Sequence, residues 1–257
     1  MTISTQPAAP ALIADLQRRL DGYASSRTRE WWESYVQGEA AFRGVPMGKV
    51  RDAVTAWHVA NRLHGRAAAD QLDLALALVR EPMSEDKLAG ILMLQEILLP
   101  AGLLDCDAVD AFADLFDEGH IADWNVSDWF CVRVLGPLVE RYGPSCARAV
   151  ADWKDAENVW RCRAAAVAFV NLASRGDEAV PGLVDLLLDT CDATVRRPER
   201  FIQTGTAWAL RELALAAPDR VAAFLRTHRA RLSGEALRSA VKKLDGPVAA
   251  ELLAPAR

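Results

Sequence analysis

With 257 residues, 51% hydrophobic and 25% charged, the chain has an ordinary globular make-up and is long enough to bury a large core in one domain or two. A net charge of −5 excludes a protein coated in basic residues, although the distribution of charge matters more than its sum. No apolar stretch approaches the roughly 20 residues that span a bilayer, and residues 1–10 lack the basic-then-apolar order of a signal peptide, so a cytoplasmic protein is expected.

Abundant Ala, Leu, Arg and Glu, with few glycines and few β-branched runs, favour helix. In chain order, residues 1–10 are expected to be a disordered N-terminus and residues 11–257 a single domain. Gly22, Pro46 and Pro82 separate the first helical stretches. Ser84 to Leu99 is predicted to be a helix with Ser84 as N-cap and Glu85 and Asp86 at its positive end. Leu88, Ile91, Leu92, Leu94, Ile97 and Leu98 form its apolar side, and Pro100 stops it. Acids dominate from Glu81 to Asp128, where Lys87 is the only Lys or Arg. Ala207, Leu210, Leu213, Ala214 and Ala217 recur at helical spacing up to Pro218, and Ser233 opens another helix with Leu237, Val241 and Leu244. Arginines and lysines outnumber acids from Val195 to Arg257. Successive antiparallel hairpins predict an all-α fold, a curved right-handed solenoid of HEAT-like repeats whose concave face is the place to seek a ligand.

Familiar catalytic loops are missing. The sequence has no Gly-x-Gly-x-x-Gly or Walker A loop, so no nucleotide cofactor is expected, and neither a Gly-x-Ser-x-Gly elbow nor a His-Glu-x-x-His helix. The cysteines, Cys106, Cys131, Cys146, Cys162 and Cys191, are scattered and form no Cys-x-x-Cys pair; neither a disulfide framework nor a zinc site is indicated, and the dispersed histidines add no metal site. Chemistry must then come from carboxylates, arginines and the eight tryptophans.

Three segments concentrate those residues. Asp123-Trp124-Asn125-Val126-Ser127-Asp128-Trp129 puts Trp124 and Asp128 four apart, on one face of a helix. Glu157-Asn158-Val159-Trp160-Arg161-Cys162-Arg163 crowds an indole and two arginines at a helix start, and Arg200-Phe201-Ile202 continues through Trp208 to Arg211-Glu212. Upstream lie Ser34-Tyr35-Val36 and Phe42-Arg43-Gly44-Val45. In order and spacing these segments resemble the bacterial DNA alkylation repair glycosylases of the AlkD type, which carry a Trp-x-x-x-Asp element, a Trp-x-x-Arg helix start and a Phe-Ile-x-x-x-x-x-Trp-x-Leu-Arg-Glu helix. The resemblance runs from about Ala11 to Leu244.

The resemblance implies a HEAT solenoid that grips duplex DNA and excises N3- or N7-alkylated purines without drawing the base into a pocket, unlike most glycosylases. It places Asp128, Trp124 and Trp208 in the catalytic cleft, Arg163 as the cleft arginine and Tyr35 as an aromatic beside the DNA. Arg161, Arg196, Arg197, Arg200 and Arg211 are further candidates for phosphate contact. An N3- or N7-alkylated purine is cationic and leaves as a neutral base, so no general acid is required; the sugar gains oxocarbenium character. A carboxylate at Asp128 stabilises that cation and orients water, indole faces attract positive charge, and Arg163 is suited to hold a flanking phosphate. Trp31, Trp32, Trp57, Trp129 and Trp153 match no cleft element and are expected to be structural, while Trp160 fits either role. The expected partner is double-stranded DNA carrying alkylated purines, bound by a monomer without cofactor or membrane. Lesion size is left open between methyl groups and bulky minor-groove adducts, the latter pointing to self-resistance. The rival readings are a non-catalytic HEAT scaffold for protein partners and a lesion-DNA binder that excises nothing.

Overall fold

The computed structural model describes residues 7–38 and 40–254, and the described residues form helices joined by turns and loops, with no strand and one isolated bridge between Ala41 and Met83. Of the expected disordered stretch, residues 1–6 lie outside the described residues, as do Arg257 and the two residues before it. The first helix is Ala9–Asp21. Pro10 stands at its N-terminus, where its fixed φ suits the helix and its missing N–H has no partner to lose. No helix among the described residues is long and apolar enough to cross a membrane.

The chain forms two compact units. One comprises the described residues as far as Leu104 together with Glu118–Val126; the other comprises Asp105–Asp117 and everything from Ser127 onward. In the first unit, Ala9–Asp21 packs on Met47–Ala60 and Ala68–Arg80 on Ser84–Leu92. Leu12, Leu16, Leu20, Leu74 and Leu78 are buried between them, each worth roughly 1.5–3 kcal/mol relative to exposure. Trp57 is wholly buried and satisfies its indole N–H on the Leu12 carbonyl at 3.0 Å. In the second unit, Val159–Val167, Arg200–Leu213 and Gly234–Ala240 lie side by side, and Leu183–Thr194 packs against the first two. Phe112, Phe116, Phe130 and Trp153 meet edge-on beneath them, with ring centroids 5.1 to 6.0 Å apart.

The helix expected over Ser84–Leu99 differs at both ends. Its cap position is Met83, not Ser84. The bridge to Ala41 holds Met83 extended, and the Ser84 N–H donates to the Ala41 carbonyl at 2.9 Å, so a loop satisfies the helix end in place of a side chain. Glu85 and Asp86 are buried. Glu85 accepts from the backbone N–H groups of Arg43, Gly44 and Val45 at 2.8 to 3.0 Å, and Asp86 accepts from the Arg43 guanidinium. The two acids therefore pin the 42–46 loop. Gly44 is obligatory there: its φ is +92°, and a Cβ would stand 2.3 Å from the Ser25 carbonyl oxygen.

Pro100 does not stop the helix. A π-helical turn, Met93–Leu98, precedes it, and helix continues over Leu99–Ala101 to Gly102. The same device recurs after Trp124–Phe130, where the π-helical Cys131–Leu135 leads into Gly136–Tyr142 with Pro137 in its first turn. In both places the wider turn makes room for the proline ring and for the carbonyls that its missing N–H leaves without a donor.

The scattered cysteines also gave no sign of a disulfide, yet Cys106 and Cys146 are paired as one within the second unit, 40 residues apart in sequence. Folding sets the entry to the Ala108–Asp117 helix beside Pro144–Ala151, a proximity that spacing along the chain does not encode.

Candidate active site

The Val159–Val167 helix starts at a side-chain cap. Asn158 Oδ1 accepts from the N–H groups of Trp160 and Arg161 at 2.9 and 3.0 Å, while Nδ2 donates to the Phe116 carbonyl at 2.7 Å. With the start fixed, Arg163 falls one turn in, facing the Arg200–Leu213 helix. Its Nε and Nη2 donate to Oδ1 and Oδ2 of Asp128, each at 2.8 Å. Its Nη1 donates to the Phe201 carbonyl at 2.6 Å and to Thr204 Oγ1 at 3.1 Å. Four of the five guanidinium donors are thereby committed to protein.

Arg163 is 6% exposed and the Asp128 side chain 19%. The carboxylate is thus held by a two-pronged, charge-assisted clamp with a limited face open to solvent. Gly205 makes the clamp fit: a Cβ there would lie 3.0 Å from Arg163 Cγ and 3.1 Å from Nη1. Thr204 and Gly205 are the site residues that sequence reading passed over. The available signal was a glycine in mid-helix, a costly choice that calls for a packing reason.

The phosphate contact expected of Arg163 does not fit this arrangement, because the guanidinium is buried and turned inward. It holds both oxygens of the Asp128 carboxylate. The other nominated arginines lie nearer the surface, each beside a carboxylate: Arg161 with Asp117, Arg196 with Asp192, Arg197 with Glu199, Arg200 with Glu235 and Arg211 with Glu212. The hydrogen bonds from Arg197 and Arg200 hold Glu199 and Glu235 below the usual glutamate range. Surface pairs of this kind contribute little, although Arg197 is further tied to the Ala156 and Glu157 carbonyls.

Trp208 lies one turn beyond Thr204, half-buried, with the Arg211 guanidinium 6.0 Å above its ring. Trp160 leans on Phe201, ring centroids 4.6 Å apart. In the first unit, Trp124 meets the edge of Tyr35 at 5.0 Å, and Tyr35 is 49% exposed. The helix Trp124–Phe130 carries Trp124 and Asp128 one turn apart. Of the tryptophans expected to be structural, Trp57 and Trp153 are buried and Trp32 stacks on Phe42 at 5.4 Å. Trp31 departs from that expectation and is 57% exposed; its helix, Ser26–Tyr35, buries none of its residues. The thiols nearest the clamp are no nucleophiles: burial raises Cys131, and it pushes Cys162 up to about 11.

Within the second unit, then, a carboxylate is held on both oxygens by a buried guanidinium. Residues 16–244 match the family described as DNA alkylation repair enzyme, and the chain belongs to it. Among solved structures, the chain is similar to a predicted DNA alkylation repair enzyme from Enterococcus faecalis, at 19% identity and a TM-score of 0.72, over 87% of this chain and 97% of that one. At that identity the likeness bears on the fold. No curated protein matches the sequence.

Proposed function

We propose that the protein is a monofunctional DNA glycosylase that hydrolyses the N-glycosidic bond of cationic N3- or N7-alkylated purines in duplex DNA. The observation that carries this reading is the clamp on Asp128. Both carboxylate oxygens are fixed at 2.8 Å by Arg163, while each keeps a second lone pair for a developing positive charge or a water. An alkylated purine needs no proton to depart, so the group the reaction requires is an anion aimed at the sugar as it becomes oxocarbenium-like. Asp128 takes that role and positions the attacking water. Trp208 and Trp124 offer electron-rich faces to the cationic sugar or base, and Tyr35 lies beside the DNA.

Arg163 acts through Asp128 as a positioning residue. Fixing the carboxylate in advance spares the reorganisation that water would have to undergo, although the guanidinium also offsets part of its charge. Arg161, Arg196, Arg197, Arg200 and Arg211 contact phosphates by giving up their present carboxylates. The helical hairpins are, on this reading, HEAT-like repeats of a cytoplasmic monomer that leaves an abasic site without cutting the backbone.

The test is release of 3-methyladenine and 7-methylguanine from methylated duplex DNA by the wild type and Asp128→Asn. Release that falls roughly 10²-fold or more in the variant matches loss of one preorganised electrostatic group. If both proteins are silent on methylated DNA, an adenine bearing a bulky minor-groove adduct is the second substrate. Silence there too would sink the glycosylase reading.

A further inference from the structure

The helix Ser26–Tyr35 buries none of its own residues, and the Tyr35 ring near its end meets the edge of Trp124. Ser25 caps it, Trp32 stacks on the buried Phe42 with the rings 6° from parallel, and Val36 beyond its end is buried. The side adjoining Trp32 carries Arg27, Trp31 and Tyr35 at successive turns, i, i+4 and i+8, so the three share a stripe. Trp31 and Tyr35 stack with centroids 5.3 Å apart and planes 7° from parallel. Both are about half exposed, at 57% and 49%. Two large aromatics left in solvent on one stripe forgo the burial that normally repays such residues.

The charges point to a polyanion. Arg27 and Arg29 make no ion pair among the described residues, in contrast to the five surface arginines of the second unit described above. On the same helix Glu33 falls away from the stripe at 100° per residue, while Glu30, three residues from Arg27, stands at the stripe's edge. Arg27, Thr28, Trp31 and Trp32 also wall a cleft of about 360 Å³, closed on its other side by Pro46 and Met47. A guanidinium with no ion pair among the described residues, one turn from a stacked indole and phenol, fits phosphate on one side and the flat face of a base or deoxyribose on the other.

We propose that the Arg27–Trp31–Tyr35 stripe is a nucleic-acid contact surface: Arg27 holds a backbone phosphate, and the Trp31–Tyr35 stack takes the face of a sugar or base. The proposal rests on the reading that the chain binds duplex DNA, and it extends that reading from Tyr35 to Arg27 and Trp31 on the same helix. Trp31 becomes a specificity and affinity residue with no part in bond breaking.

The experiment measures equilibrium binding of a fluorescent duplex, unmodified or carrying one tetrahydrofuran abasic analogue, across a salt series. Wild type, Trp31→Ala, Trp31→Phe and Arg27→Gln are compared, and light scattering follows their masses. Trp31→Ala is expected to bind roughly ten-fold more weakly, and Trp31→Phe close to wild type. Arg27→Gln should lower the slope of log Kd against log salt by about one unit. Wild-type affinity and slope in all three variants would overturn the proposal. So would an effect of Trp31→Ala confined to mass, which would make the stripe a contact between copies, or a wild type that binds no duplex. Base release by the same proteins separates the two readings. Binding without release sinks the glycosylase and leaves the stripe standing; release with unaltered binding in Trp31→Ala sinks the stripe alone.

Discussion

Replacing Asp128 by Asn probes both the chemistry and the architecture of the site. In the native protein the two carboxylate oxygens each accept from Arg163 at 2.8 Å, and the guanidinium is 6% exposed. Asparagine keeps the shape, but it presents an NH2 group to one of the two guanidinium donors, so one charge-assisted hydrogen bond becomes a donor–donor clash and the ion pair is lost. A hydrogen bond to a charged group contributes about 1.5–3 kcal/mol, and breaking a buried pair costs about 3–5 kcal/mol. The Phe201 carbonyl and Thr204 Oγ1 still accept from Arg163, which places the expectation near the overlap, about 3 kcal/mol. For a chain of this size that corresponds to a fall in Tm of roughly 6–12 °C. Thermal unfolding followed by circular dichroism measures it, and base release must be assayed below the variant's transition. The double-mutant cycle with Arg163→Met isolates the pair, and a coupling of about 1 kcal/mol or more is expected. A variant that melts with the wild type would refute the argument that the clamp is a strong interaction. One that stays folded and releases base at the wild-type rate would refute the role of Asp128.

Gly205→Ala places a methyl 3.0 Å from Arg163 Cγ; the helix gains about 1 kcal/mol in propensity while the clamp is pushed out of line. Little change in Tm but slower base release is expected, and full activity would show that the clamp tolerates displacement. Gly44→Ala has no such compensation: the positive φ and the 2.3 Å approach to the Ser25 carbonyl should cost at least about 2 kcal/mol, read as a lower denaturation midpoint. His58 supplies a pH signature. Burial first, and then the nearby His64, lowers it from the ordinary value of 6.5, while the Gln71 side chain, whose oxygen favours the protonated ring, opposes them in part. Because the unfolded chain then binds more protons, the stability tied to His58 is complete above pH 6.5 and declines as pH falls below it. His58→Gln should flatten that part of a Tm-against-pH curve, and an unchanged slope would assign it to other groups.

Much of this protein was legible in its sequence. Helical periodicity and breakers are local properties, so an all-α chain of hairpins could be read from Ala207, Leu210 and Leu213 or from the Ser233 cap, whose Oγ accepts from the Ala236 N–H. Trp124 with Asp128 and Trp160 with Arg163 could be singled out because helical spacing fixes which residues share a face. Partners could not be read in this way. Arg163 looked like a phosphate ligand, since a sequence shows a charge without showing whether a carboxylate 35 residues earlier faces it. Glu85 and Asp86 looked like first-turn acids until the 42–46 loop supplied their donors. Pro100 looked like a terminus until a π-helical turn absorbed it, and Cys106 found Cys146 across 40 residues. Periodicity records what a residue does within its own few turns of helix. Whether a side chain ends buried, paired or open to a ligand depends on segments that only the folded chain brings together, and tertiary structure alone decided that.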